Sequence, residues 1–227
     1  MTDAAPTARR TSIAKFVRDV AIVVVAAIVI SIVIKAFLFR SFFIPSESME
    51  TTLMVNDRVI VNELVPDVMP LERGDVVVFA DPGGWLPPQP EVALDPLQWV
   101  LSMVGLSDAD STQYLIKRVI GLPGDRVVGD GLGTITVNGV ALDEPYLHLP
   151  SGSDVAFDVT VPEGRVWVMG DNRGNSRDSR FHQEEAGKGS IALTGIVGRA
   201  VVVSWPIDHW TWLDNYPDVF SGADAQH

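Results

Sequence analysis

The sequence predicts a mainly β domain that follows one apolar helix at the N-terminus. Short runs of β-branched and aromatic residues recur between turn residues over residues 57–204, and this spacing is typical of antiparallel strands. Asn138-Gly139 separates two of these runs and suits the type I′ turn of a tight hairpin. Outside the apolar segment 18–40, no long pattern with a period of 3.6 residues occurs. We therefore expect a mainly β fold behind a single helix.

Eight runs carry the β pattern. In chain order they are residues 57–61, 75–79, 114–120, 134–137, 140–142, 157–161, 165–169 and 196–204. Segment 81–113 interrupts them and contains five prolines and Gly83-Gly84. This composition is typical of an insertion or a long loop, with a short helix near Leu97 to Val104.

Residues 18–40 are predicted to form a transmembrane anchor. The run from Val20 to Ile34 has no charged residue, and with its flanks it reaches the roughly 20 residues that span a bilayer. Basic residues precede the run, so the positive-inside rule places residues 1–17 in the cytoplasm as a tail and residues 41–227 outside it. Residues 1–14 have no apolar period and are expected to be disordered. A cleavable signal peptide is the alternative, but the run has no small-x-small site at its exit.

Charge and composition narrow the possible functions. The chain of 227 residues has a formal net charge of −12, and since residues 1–40 carry +4, the remainder carries −16. An acidic domain argues against nucleic acid as a partner. The absence of cysteine excludes disulfides and thiolate chemistry. The histidines show no metal-ligand spacing, so we expect neither a metal nor another cofactor; they are His148, His182, His209 and His227.

Ser46 and Ser48 are candidate catalytic residues. In an extended segment alternate side chains share a face, so one hydroxyl could attack a substrate while the other stabilises an oxyanion. A serine nucleophile needs a base, and the candidate is Lys117, which lies inside an apolar strand where desolvation lowers the pKa of an amine. A surface turn at the serines and a solvent-facing lysine on an edge strand are the alternatives.

A polar block, residues 170–180, directly follows an apolar strand and is dense in Asp, Asn, Ser and Arg. These side chains can form a hydrogen-bonded scaffold that fixes the lysine, with Asp178 paired to Arg180 or to Arg173. A flexible surface loop is the alternative.

Together these blocks resemble type I signal peptidase, the membrane-bound Ser/Lys endopeptidase of bacteria, also called leader peptidase. The matching segments are residues 45–49, 73–79, 117–125 and 170–180, in the family's order. The single span in front resembles forms typical of Gram-positive bacteria. Thr51 and Gly174 depart from the pattern, which usually has proline and aspartate there, but neither position has a catalytic role in the family.

The resemblance implies a role for each matching residue. Ser48 would be the nucleophile and Lys117 the general base, while the backbone N–H of Ser48 and the hydroxyl of Ser46 would form the oxyanion hole. Three residues would orient the lysine and support the site: Ser176, Asp178 and Arg180. Five would line shallow pockets for small substrate residues: Phe42, Ile44, Leu53, Leu115 and Ile116.

The resemblance also implies a fold, a substrate and a location. The fold would be a β catalytic core with a smaller inserted β subdomain at about 126–169. The enzyme would remove N-terminal signal peptides from secreted preproteins after small-x-small (Ala-x-Ala) sites, without a cofactor. Its partners would be those preproteins and the lipid bilayer of the cell membrane, close to the export translocase.

Two other functions stay open from the sequence. A self-cleaving, repressor-like peptidase could use the same Ser/Lys pair, but the predicted anchor and the lack of a DNA-binding region count against it. A catalytically inactive, membrane-tethered binding module is the second. All the blocks keep the residues needed for catalysis, which counts against that function. An acylating probe that failed to label Ser48 would favour it.

Overall fold

The computed structural model describes residues 8–87, 114–185 and 187–223. Helix α1, Ala8–Leu38, comes first and continues directly into strand β1, Phe39–Phe43. The expectation that residues 1–14 are disordered is therefore wrong from Ala8 onward. Among the residues described, no helix has the length and apolar character needed to cross a membrane. The anchor over residues 18–40 stays a prediction.

Within the described residues, eleven further strands follow β1, together with one short helix. They are β2 (Arg58–Asn62), β3 (Val76–Ala80), β4 (Tyr114–Gly121), β5 (Arg126–Asp130), β6 (Ile135–Val137), β7 (Val140–Ala141), β8 (Ala156–Thr160), β9 (Arg165–Met169), β10 (Ile191–Ala192), β11 (Ile196–Trp205) and β12 (Thr211–Trp212). The short helix α2 is Pro217–Phe220.

Most strands belong to one antiparallel sheet in the order β1-β2-β11-β3-β4-β9-β10, with β12 paired to β11. Strand β4 lies inside this sheet, because Lys117 is opposite Val77 of β3 and Arg118 is opposite Met169 of β9. The edge-strand alternative for the lysine is therefore wrong. A lysine on an interior strand is flanked on both sides, and this is what allows its amine to be buried.

A second antiparallel sheet has the order β7-β6-β5-β8 and spans residues 126–160. The segment 126–169 expected to form a smaller subdomain therefore contains this sheet and, in addition, strand β9 of the first sheet. The rings of Phe157 and Trp167 stack between the two sheets with centroids 5.1 Å apart. Side chains of β4 and β9 thus pack against the second sheet in one buried cluster.

The mainly β fold class is confirmed, and each of the predicted runs overlaps a strand. Four strands were not predicted: β1, β5, β10 and β12. Strand β1 continues the apolar exit of the helix, β5 contains Gly129, and β10 and β12 have two residues each. Most of segment 81–113, with the short helix expected near Leu97 to Val104, lies outside the described residues.

One apolar cluster supports the segment that carries the candidate serines. Ile44, Met49 and Leu53 are at most 1% exposed and pack with side chains of β2, β3 and β11. Burial of each such side chain stabilises the fold by about 1.5–3 kcal/mol. Met49 and Leu53 therefore fix the backbone on both sides of the turn at Ser48.

We expect Gly74→Ala to destabilise the protein by about 3 kcal/mol or more, because it combines strain with overlap. Gly74 has φ +85°, and a Cβ there would overlap the carbonyl oxygen of Asn215. Gly139 is a matched control, since it has φ +83° with no atom near its Cβ. Gly139→Ala should cost only about 1 kcal/mol of backbone strain. Urea unfolding of both variants measures the difference, and equal losses would contradict the steric explanation.

Candidate active site

Ser48 and Lys117, 69 residues apart in sequence, meet in the structure. Ser48 lies in a 3₁₀ turn, Glu47–Met49, and Lys117 lies on β4. The lysine Nζ donates to Ser48 Oγ at 2.6 Å and to the carbonyl oxygen of Ile116 at 2.9 Å. Both side chains are buried, with Ser48 8% and Lys117 4% exposed. The solvent-facing lysine is therefore wrong. The turn itself lies partly at the surface, because Ser46 and Glu47 are exposed whereas Ser48 is buried.

Ser46 lies beside the pair, although not in the way the sequence suggested. Its backbone is extended, but Ser48 two residues later is already in the 3₁₀ turn. The expectation of one extended segment through both serines is therefore wrong. Their Oγ atoms are nevertheless 3.3 Å apart, because the turn brings the second hydroxyl back towards the first.

The environment of Lys117 lowers the pKa of its amine from 10.5 to about 8. Burial is the main cause, because it disfavours the charged ammonium. The negative charges of Asp178 and Asp171 oppose this shift, while the positive charge of Arg180 adds to it. A substantial fraction of the lysine is therefore neutral near pH 8, and a neutral amine can accept a proton.

Asp178 organises the polar block behind the lysine. Its Oδ2 accepts from the Ser176 hydroxyl at 2.8 Å and from the Gly170 N–H at 3.0 Å, and its Oδ1 accepts from Arg180 Nε at 2.8 Å. Burial raises the pKa of this carboxyl, but the bonds and charge of Arg180 and the N–H of Gly170 outweigh it, so the pKa lies below its usual range. Ser176 thus contacts Asp178, and the lysine amine bonds to Ser48 and Ile116 instead.

The residue after the lysine makes a second ion pair with the same block. Arg118 is fully buried and donates to Asp171 through Nε at 2.9 Å and Nη2 at 2.7 Å. The ring of Tyr146 lies 4.0 Å from the guanidinium carbon, a distance that suits a cation–π contact. Arg173 does not pair with Asp178; it pairs with Glu144, from the segment between β7 and β8.

Two asparagines of the block hold the turn that carries Ser48, and sequence reasoning did not single them out. The backbone N–H of Asn172 donates to the carbonyl oxygen of Ser48 at 3.1 Å, and its side chain donates to that of Glu47 at 3.1 Å. Asn175 Nδ2 donates to the Glu47 carboxylate at 2.8 Å. The amides are visible in the sequence, but their partners lie more than a hundred residues away, so only the fold identifies them.

An apolar cavity of about 100 Å³ adjoins Ser46 and Lys117. Its walls are Phe42, Phe43, Ile44, Pro45, Ser46, Val78, Leu86, Tyr114, Leu115, Ile116 and Lys117. Four of the five residues expected to line substrate pockets are among them. Leu53 is not, because it is fully buried in the cluster beneath the Ser48 turn. The cavity is small and apolar, so it suits a small apolar side chain.

His182 follows the polar block in sequence and is the other residue that could act as a base. Its side chain contacts Glu185 and Trp85. Its Nδ1 lies 2.6 Å from Glu185 Oε1, and its ring stacks on Trp85 with centroids 4.2 Å apart. Within the described part of the chain, no group of three or more His, Asp or Glu side chains could hold a metal ion.

This arrangement of blocks agrees with a match to a known protein family. Residues 17–205 match the family model described as signal peptidase, peptidase S26. The chain belongs to this family. Members of the signal peptidase I family remove signal peptides from secreted preproteins, so the chain is a hydrolase, a serine endopeptidase.

Individual relatives support the same assignment. The chain is 35% identical to a probable signal peptidase I of Mycobacterium leprae, over 85% of this chain and 77% of the relative. It is 37% identical to a signal peptidase I of Mycobacterium tuberculosis, over 85% and 74%. A solved signal peptidase I from Enterococcus faecalis has 26% identity and a TM-score of 0.37, covering 57% of this chain and 95% of that one. This low overall similarity adds nothing to the sequence matches.

Gly170→Ala tests whether the close approach of the polar block to the turn at Ser48 matters. A Cβ at Gly170 would overlap the Ser176 hydroxyl and the carbonyl oxygen of Ser48. Displacing Ser48 by even about 1 Å should lower the rate of signal-peptide removal roughly 100-fold. Gly174→Ala, in the same loop, is the matched control, because a Cβ there meets no atom. Initial rates and circular dichroism are measured for both variants; a folded Gly170→Ala enzyme with full activity would refute this role.

Proposed function

We propose that this chain cleaves signal peptides with a Ser48/Lys117 dyad, after small-x-small sites of the Ala-x-Ala type. The observation that carries the proposal is the 2.6 Å contact between a buried lysine amine, with its pKa lowered to about 8, and a serine hydroxyl. A base with a pKa near the working pH is well suited to take a proton from a nucleophile.

In the first half of the reaction, Ser48 Oγ attacks the carbonyl carbon of the scissile bond while neutral Lys117 takes the hydroxyl proton. The backbone N–H of Ser48 and the hydroxyl of Ser46 donate to the oxyanion that forms. The 3.3 Å distance between the two serine hydroxyls supports this role of Ser46. The lysine ammonium then gives its proton to the departing amine, and the C–N bond breaks to leave an acyl-enzyme.

In the second half, the lysine is neutral again and takes a proton from a water molecule. The resulting hydroxide attacks the ester carbonyl, and the oxyanion forms at the same place. When the ester bond breaks, the proton on Lys117 returns to Ser48 Oγ, and the signal peptide leaves with a free carboxylate. Ser176, Asp178 and Arg180 support the dyad from behind, through the hydrogen bonds that join them.

The small apolar cavity beside Ser46 and Lys117 supports the choice of substrate. It has room for a small side chain next to the attacking hydroxyl, as a small-x-small cleavage site requires. A bulky side chain would have to displace buried neighbours, which costs about 1–3 kcal/mol.

We further propose that the enzyme is a single-pass protein of the bacterial cell membrane, with its N-terminus in the cytoplasm and its peptidase domain outside. The apolar run from Val20 to Ile34 supports this location. Further support comes from Trp205, Trp210 and Trp212, which are 50–66% exposed, since tryptophan favours the membrane interface. Anchoring enzyme and preprotein in one bilayer, near the export translocase, raises their effective concentration.

Loss of either dyad residue should abolish cleavage. We expect Ser48→Ala and Lys117→Ala to lower kcat/KM for an Ala-x-Ala preprotein by roughly 10⁴-fold or more, since members of such a unit act together. Exposed residues of the same types give matched controls, Ser151→Ala and Lys188→Ala, which should keep full activity. Cleavage in detergent or liposomes is followed by the size of the mature product. Activity that survives in Lys117→Ala would point to another base, such as His182.

The pH dependence of the reaction follows from the lysine. The base must be neutral, so kcat/KM should rise about tenfold per pH unit below pH 8 and level off above it. The direction follows from the lowered pKa of Lys117: protonation removes the base as the pH falls. The measurement is kcat/KM from pH 6 to 10, with tryptophan fluorescence as a check on folding. A profile that is flat across pH 8 would contradict a lysine base.

A further inference from the structure

One wall of the apolar cavity comes from segment 81–113, to which the family resemblance assigns no role. Leu86 lies at the start of segment 81–113, just after β3, and its side chain is half-buried. It faces the same cavity as Ser46 and Lys117. A residue from the stem of this segment therefore helps to shape the space next to the proposed dyad.

The backbone at Leu86 is fixed by Asp81. Its Oδ1 accepts from the N–H groups of Gly83 and Trp85, each at 3.1 Å. Its Oδ2 accepts from the N–H of Leu86 at 3.3 Å. The Asp81 carboxylate thus holds together the turn that places Leu86 at the cavity.

Trp85 anchors this turn to the rest of the site. It is 6% exposed and stacks on His182 at 4.2 Å with an angle of 10° between the rings. Its Nε1 donates to Glu185 Oε2 at 3.0 Å, and its ring edge meets Phe79 at 5.8 Å. The wall formed by Leu86 is consequently held to β3 and to the segment that follows the polar block.

We propose that Leu86 is a specificity-determining residue that limits the substrate side chain entering this cavity to a small one. The inference rests on the proposed function, because the cavity lies beside the dyad that would hold the acyl part of the substrate. The leucine side chain occupies space that a larger substrate side chain would need. The segment that begins at residue 81 thereby takes part in selecting the cleavage site.

The test changes the size of this wall in both directions. Leu86→Ala enlarges the cavity and Leu86→Phe narrows it. Leu132→Ala, in the loop between β5 and β6 at a position 92% exposed, is the matched control. Each enzyme is assayed on one preprotein that carries Ala, Val or Leu, separately, at each of the two small positions of its cleavage site. The readout is the ratio of kcat/KM for the larger residue to that for Ala.

We expect Leu86→Ala to raise this ratio by about tenfold or more at one of the two positions. A pocket that gains or loses space for one methylene changes the preference between substrates by about this factor. Leu86→Phe should lower the ratio at the same position, and Leu132→Ala should leave it unchanged. Opposite shifts from the two Leu86 variants are not expected from a loss of stability, which would slow all substrates together.

The outcomes separate this inference from the proposed function. Suppose that the wild type cleaves the Ala-x-Ala site. If the Leu86 variants then show unchanged ratios, or an equal loss of activity on every substrate, the role of Leu86 alone is overturned. No cleavage by the wild type, or undiminished cleavage by Ser48→Ala, would overturn the proposed function and the inference with it.

Discussion

The amine of Lys117 is buried against neutral partners, and the rest of the site depends on this contact. It bonds to a hydroxyl and a backbone carbonyl, which stabilise an ammonium less than a carboxylate would. Desolvation therefore prevails and lowers the pKa of the amine. Burial of this kind requires an interior strand, and β4 provides one between β3 and β9.

The carboxylates nearest the lysine are each neutralised by an arginine. Asp171 pairs with Arg118 at 2.7 Å and Asp178 with Arg180 at 2.8 Å. Unpaired, either carboxylate would favour the charged form of Lys117 and raise its pKa. The planar guanidinium stays charged when buried and binds a carboxylate through two N–H groups. The site thus keeps acidic groups that position its loops while limiting their effect on the lysine.

Sequence reasoning failed where a role depends on a distant partner. Arg118 was assigned no structural role, yet it is fully buried and holds Asp171. Leu53 matches the chemistry of a pocket wall but lies in the core, packed with the strands beneath the turn at Ser48. Leu86 belongs to a segment whose composition indicates only a loop. Each of these outcomes depends on which atoms the fold brings together, and a local pattern does not contain that information.

The sequence by itself determined the β class, the position of eight of the twelve described strands and the choice of Ser48 and Lys117 as the proposed dyad. Alternating β-branched residues and turn residues favour strands and turns through local effects, so these elements can be recognised from the sequence. A lysine in an apolar strand is unusual enough to be noticed alone. Only the tertiary structure decided that Ser48 Oγ and Lys117 Nζ lie 2.6 Å apart. Their distance depends on strand order and on a turn held by Asn172 and Asn175, which lie far along the chain from it.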